Sequence, residues 1–340
     1  MRFISRARRL TSRTALLIVI GLVLGTGGGV AIAAYTATTS SSSNSVQAAA
    51  SFSTLRVASG TYAGNGVDDR AFTGLGFQPD LVIVKGDTNQ VTMARTSTMT
   101  GDAAKPLSGG TALSNDRIQS LDADGFTTGK NNAVNANGIN YAWTAFKTST
   151  GVLKVGTYTG NGTSQSITGA GFSPEYVATM SAGSDRAIQR FTGMTSTFQF
   201  DADTGNANRI TSLNADGFSV GSDNTANRNG TVFHYVAFND VTGIVDANSY
   251  AGNGTDDRSV TGIGFQPDYV IIRANDTATA RQAQHRPASL TGTNSLFFSA
   301  SANSTNAIQA LQSDGFQVGT DTSVNASSPT YHYIAFKNTP

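Results

Sequence analysis

The 340-residue chain contains no cysteine. Disulfides, thiolate metal sites and cysteine nucleophiles are excluded, and the fold must stand on its hydrophobic cores alone. Charge is sparse: Asp, Glu, Lys and Arg make up 13% of the chain, and glutamate occurs once, at Glu175. Five of the 23 basic residues fall within residues 1–34, which hold no acid, so the remainder is mildly acidic. That balance offers no basic patch for nucleic acid and no polybasic surface for a membrane. Histidine occurs only at His234, His285 and His332 and tryptophan only at Trp143. No pair of histidines has a metal-ligand spacing. No Gly-x-Ser-x-Gly elbow follows a strand into a helix, so no serine triad can be singled out.

What is present is one text written three times. Tyr62-Ala63-Gly64-Asn65-Gly66, Tyr158-Thr159-Gly160-Asn161-Gly162 and Tyr250-Ala251-Gly252-Asn253-Gly254 each open a unit. Gly-Phe-x-Pro-(Asp/Glu) follows at 76–80, 171–175 and 264–268, Asp-Gly-Phe at 124–126, 216–218 and 314–316, and Ala-Phe at 145–146, 237–238 and 335–336. A period of more than 90 residues is the size of a small domain, not of a solenoid repeat of roughly 20–50 residues. The expected repeats are 56–148, 153–240 and 244–338. The intervening segments are short, which favours modules packed on one another.

Gly, Ser, Thr, Asn and Ala dominate, a composition of strands and turns with no segment periodic enough for a helix. Asn-Gly predicts a type I′ hairpin turn at the head of each unit. Pro79, Pro174 and Pro267 lead into strands, where a missing N–H costs no ladder bond. The near-continuous apolar run Leu81-Val82-Ile83-Val84 predicts burial on both faces. So does the closing strand, with Tyr141/Phe233/Tyr331 on one face and Phe146/Phe238/Phe336 on the other. The expected fold is all-β: three tandem antiparallel β-sandwiches of jelly-roll type, with six to nine strands each.

Residues 1–13 are basic and 15–34 apolar, ending in small residues at Ala31-Ile32-Ala33, which predicts an export signal, cleaved or kept as an anchor. Residues 35–55 read as a Ser/Thr-rich linker. The expected location is extracellular or at the cell surface, with membrane contact only through the N-terminal segment if it is uncleaved.

The three copies diverge over about 86–116, 181–207 and 274–305. Arg95, Arg190 and Arg286 persist there, each followed four residues later by Met99, Met194 or Leu290. Such an arginine is a candidate ligand contact; the alternative is an arginine spanning a sheet edge or paired with an aspartate of its own unit. Asp201-Ala202-Asp203-Thr204-Gly205-Asn206 spaces oxygen ligands as hard cations prefer, making Asp201 and Asp203 candidates for calcium; no other cofactor is expected. The same pair would carry a polysaccharide hydrolase, the reading with least support, because carboxylate pairs are not reproduced across all three units. Trp143, Tyr158 and Tyr250 suit either sugar stacking or core packing.

Together, Tyr-x-Gly-Asn-Gly, Gly-x-Gly-Phe-x-Pro-(Asp/Glu)-x-Val, Ile-x-x-Leu-x-x-Asp-Gly-Phe-x-x-Gly, Asn-x-Asn-Gly-x-x-Tyr and Ala-Phe-Lys resemble a repeat of phage structural or tail-associated proteins and bacterial surface proteins. The resemblance spans residues 56–340. It implies concanavalin/LamG-type or jelly-roll sandwiches and no catalytic residues. The expected function is therefore non-enzymatic: binding of glycans, a cell-surface polymer or another surface through the divergent loops. A structural subunit that self-associates into a filament, coat or layer is the alternative.

Overall fold

The computed structural model describes residues 54–339. The export-signal or anchor reading and nearly all of the Ser/Thr linker lie outside them. Each repeat contributes eight strands in two antiparallel sheets. In the first repeat these are β1 (Arg56–Ala63), β2 (Arg70–Thr73), β3 (Leu81–Gly86), β4 (Met93–Thr96), β5 (Lys105–Pro106), β6 (Ile118–Asp122), β7 (Gly125–Thr128) and β8 (Asn140–Lys147), with a one-turn helix α1 (Asn132–Asn135) before β8. The larger sheet runs β1-β8-β3-β4-β5 and the smaller β2-β7-β6; the second and third repeats reproduce both orders. No helix among the described residues is long and apolar enough to cross a membrane.

Alternation along β3 explains the architecture. Val82 and Val84 point to the smaller sheet and share a core with Tyr62, Ile118, Phe126 and Tyr141. Leu81 and Ile83 point away from it, yet are equally buried. They enter a second core built by all three repeats, in which Phe146, Phe238 and Phe336 meet with ring centroids 4.7–5.6 Å apart. The outer faces of the three larger sheets thus pack around one pseudo-threefold axis. An apolar cavity of about 30 Å³ lies beside the phenylalanines. The repeats form one compact unit rather than beads on linkers.

The ring is closed by hydrogen bonds between the chain's two described ends. Leu55 donates its N–H to Thr339 Oγ1 at 2.6 Å and accepts from the Thr339 N–H at 2.8 Å, while Val57 N–H donates to Asn338 Oδ1.

One landmark acts differently from its sequence reading. Tyr-x-Gly-Asn-Gly is not a hairpin: β1 pairs with β8 and β2 with β7, so the turn carries the chain from one sheet to the other. Gly66 has φ 67°, but Asn65 is not among the positive-φ residues, as a type I′ turn would need. The turn is held instead by Asn135, fully buried at the end of α1, whose side chain accepts from Asn65 N–H at 3.0 Å and donates to Val67 O at 2.7 Å. Asn227 and Asn325 do the same in their repeats. Asp-Gly-Phe does form the turn between β6 and β7, and its aspartate also clamps the preceding loop. Asp124 accepts from Gly74 and Gly76 N–H, and Asp216 and Asp314 repeat the pattern. The glycine of this motif is required by close approach: a Cβ on Gly217 would stand 2.1 Å from Ile167 O.

Phe336 is fully buried at the axis. Phe336→Ala is expected to lower the free energy of unfolding by about 3–5 kcal/mol, read by denaturant titration. A loss below about 1 kcal/mol would show that the axis is not a close-packed core.

Candidate functional site

Arg95, Arg190 and Arg286 lie on equivalent strands but are not brought together. Their donors turn inward to backbone carbonyls of their own repeat. Arg95 reaches Met99, Gly101, Ala103 and Ile118. Arg190 reaches Met194 and Ile210. Arg286 reaches Leu290, Gly292, Asn294 and Ile308. Each arginine ties the first divergent loop to both sheets. The partners are carbonyls, not the aspartate envisaged from sequence, and burial holds all three guanidinium pKa values below their ordinary range.

Asp201 and Asp203 are two residues apart on the chain but face different cations. Asp201 Oδ2 accepts from Arg186 at 2.5 Å and from Ser108 Oγ of the first repeat at 3.1 Å. Asp203 Oδ2 accepts from Arg209 at 2.5 Å and from Gln199 N–H at 2.8 Å. Their backbone carbonyls accept from Arg273 of the third repeat. Separate guanidinium groups therefore take Oδ2 of each carboxylate that the calcium reading assigned to one metal ion, while Asp201 Oδ1 has no partner. Among the described residues no three His, Cys, Asp or Glu side chains group as a metal site.

The divergent segments meet the neighbouring repeats. Each of the three seams carries a buried cation on backbone carbonyls. At the first–second seam Lys105 Nζ donates to Gly183 O and Asp185 O, both at 2.8 Å. At the second–third seam Arg273 reaches Asp201 and Asp203, with its guanidinium 4.7 Å from the Phe198 ring centroid. At the third–first seam Lys85 Nζ reaches Thr88, Gln90 and, at 2.9 Å, Ser301 of the third repeat. Burial pulls both lysines down to about 8, so at neutral pH they stay charged while their donors are matched by carbonyls. In sequence these cations show only as Lys85 and Arg273 ending aligned apolar runs, where the second repeat has Met180.

The three histidines are buried side chains. His234 Nδ1 is 2.8 Å from Thr98 Oγ1 across the first–second seam, and His332 packs 6.1 Å from the Phe191 ring across the second–third. His285 stacks on Phe298 and bonds Tyr269 Oη. Trp143 packs edge-on against Phe126, and Tyr158 and Tyr250 are buried with their hydroxyls on Ala226 O and Val324 O.

Between the third and first repeats the seam opens into a groove of about 460 Å³, within the ordinary range for small-ligand sites. Its walls include Thr61, Asp87 and Asn140 from the first repeat and Ser289, Asn294 and Asn303 from the third. Three polar atoms of these walls, Asp87 Oδ1, Asn303 Oδ1 and Ser289 Oγ, have no hydrogen-bond partner. All three atoms are shielded from solvent, and buried polar atoms left unpaired are costly.

Burial lowers the pKa of His234 and His332 to about 4, with Lys105 adding to the effect at His234. In the unfolded chain both titrate near 6.5. Above pH 6.5 they are neutral in both states and contribute no pH dependence. Between pH 6.5 and 4 the unfolded chain gains protons that the fold refuses, so stability falls as pH falls. The expected loss is roughly 2–3 kcal/mol per histidine across that window. Denaturant titrations from pH 7 to 4 check it; His234→Gln with His332→Gln should reduce the slope, leaving the part that buried His285 contributes.

A search of the curated proteins found no match. The family comparison matches residues 53–154, 148–243 and 232–340 in three consecutive segments, in step with the three sandwiches. By that match over most of its length, the chain belongs to the family described as a domain of unknown function (DUF7483), present here as three tandem copies.

Proposed function

We propose that this is an exported, non-enzymatic surface protein that binds glycans of a cell or polymer surface, its three sandwich repeats fused into one binding head. The observation that carries the reading is the groove at the third–first seam, walled by hydroxyl, amide and carboxylate side chains with three acceptor or hydroxyl atoms unpartnered. Hydroxyl and amide walls suit polyhydroxylated ligands, which donate and accept at once. The basic-then-apolar N-terminal stretch supports export, and the likeness to tail-associated and surface repeats is in keeping with a display role.

The alternative, a subunit of a filament, coat or layer, draws less support. The apolar faces such a subunit would offer to neighbours are covered by the chain's own second and third repeats, and the ring closes at Leu55–Thr339.

Full-length protein applied to a printed glycan panel, and to whole cells, tests the proposal. Saturable retention on a subset of glycans is expected. Retention no greater than that of an unrelated β-sandwich protein, together with ordered arrays of the protein by electron microscopy, would favour the structural role instead.

A further inference from the structure

The three seams are built to one plan, and the third–first seam lacks one part of it. Strand register fixes the equivalence: Ala142, His234 and His332 stand opposite Lys85, Met180 and Arg273. Across each seam these residues meet the position three beyond the loop-holding arginine of the neighbouring repeat, namely Thr98, Gly193 or Ser289. His234 bonds Thr98. His332 fills the space over Gly193, its Cε1 lying 3.2 Å from where a Cβ would stand. At the third–first seam the imidazole is replaced by the methyl of Ala142. Both Ala142 and Ser289 line the groove, and Ser289 Oγ has no partner.

A second difference coincides with the first. The acid in the loop after the long central strand is paired with arginine in the other repeats: Asp185 with Arg228 at 2.6 and 2.8 Å, and Asp276 with Arg281 at 2.8 Å. Asp87 has no arginine. Its Oδ2 accepts from Asn140 Nδ2 at 3.1 Å, and its Oδ1 is unpartnered.

We propose that the third–first seam is a binding site for one neutral saccharide unit, opened by Ala142, and that the chain therefore carries one such site rather than three. Asp87, Asn303 and Ser289, whose unpartnered side-chain oxygens are shielded from solvent in this structure, turn them toward the sugar hydroxyls by side-chain rotation. The neutrality of the ligand follows from the walls: Asp87 and Lys85 both line the groove, so their opposite charges leave it no net charge with which to favour an ion. The site belongs to neither repeat alone. This inference rests on the glycan-binding reading and narrows it to a place, a ligand charge and a stoichiometry.

The test uses the full-length protein, a panel of neutral oligosaccharides and two variants. Ala142→His installs the plug that the other two seams carry, opposite a serine that can partner it as Thr98 partners His234. Asp87→Ala removes an acceptor together with the Asn140 bond and the negative charge beside Lys85, while the backbone bonds of residue 87 remain. Wild-type protein is expected to bind at least one panel member with one ligand per chain by calorimetric titration. Each variant should weaken that binding by at least about tenfold, with its melting temperature within a few degrees of wild type. Should Ala142→His fail to fold, Asp87→Ala decides. Binding that survives both folded variants, or three ligands per chain, overturns the site and leaves the glycan reading standing. No binding to any panel member, while charged glycans are retained, overturns the neutral-sugar assignment; no binding to any glycan overturns both.

Discussion

Everything in this molecule depends on burying the outer face of each repeat's larger sheet. A sandwich of about 90 residues has room for one core, yet β3 and β8 and their counterparts are apolar on both faces. The second face stays out of water because three copies present it to one another around Phe146, Phe238 and Phe336. The repeat is thus a third of a fold rather than a module that merely recurs. The closing bonds between Leu55 and Thr339 complete what the axis begins.

That constraint accounts for the pattern of likeness and divergence. Positions serving the inside of each sandwich face the same surroundings three times and stay the same: the buried asparagines of the one-turn helices, the aspartates of Asp-Gly-Phe and the arginines that hold the loops. Positions serving the seams need only fit one neighbour, because the chain joins the copies in a fixed order. Lys85 and Arg273 from one aligned position, and Lys105 from another strand, solve the same problem at three seams, and histidine fills two seams where alanine leaves the other open. Identical subunits of a trimer would have had to open or plug every seam alike. Fusing the copies into one chain permits one seam to differ from the other two.

The sequence was most legible where a residue's role is local. Glycine and proline landmarks, strand alternation and the threefold spacing led to the all-β class, the three tandem repeats and the double-faced burial of β3 and β8. Asn-Gly misled, because the buried Asn135 that holds its turn lies 70 residues away, and local turn chemistry carries no sign of such a partner. The divergent loops seemed the place to seek recognition. Much of their polar character faces a neighbouring repeat instead, as the backbone carbonyls of Asp201 and Asp203 do by accepting from Arg273 of the third repeat. The alanine at 142 opposite histidines at 234 and 332 was visible in the aligned strands. Its meaning was not, since nothing in one strand tells that its outer face meets Ser289 of another repeat.

The central claim is that three repeats make one cooperative body. Differential scanning calorimetry of the intact protein tests it most directly. One transition is expected, with the calorimetric enthalpy matching the van't Hoff enthalpy. A calorimetric enthalpy about three times the van't Hoff value, or three resolved transitions, would mean that the repeats melt as independent domains and would contradict the account.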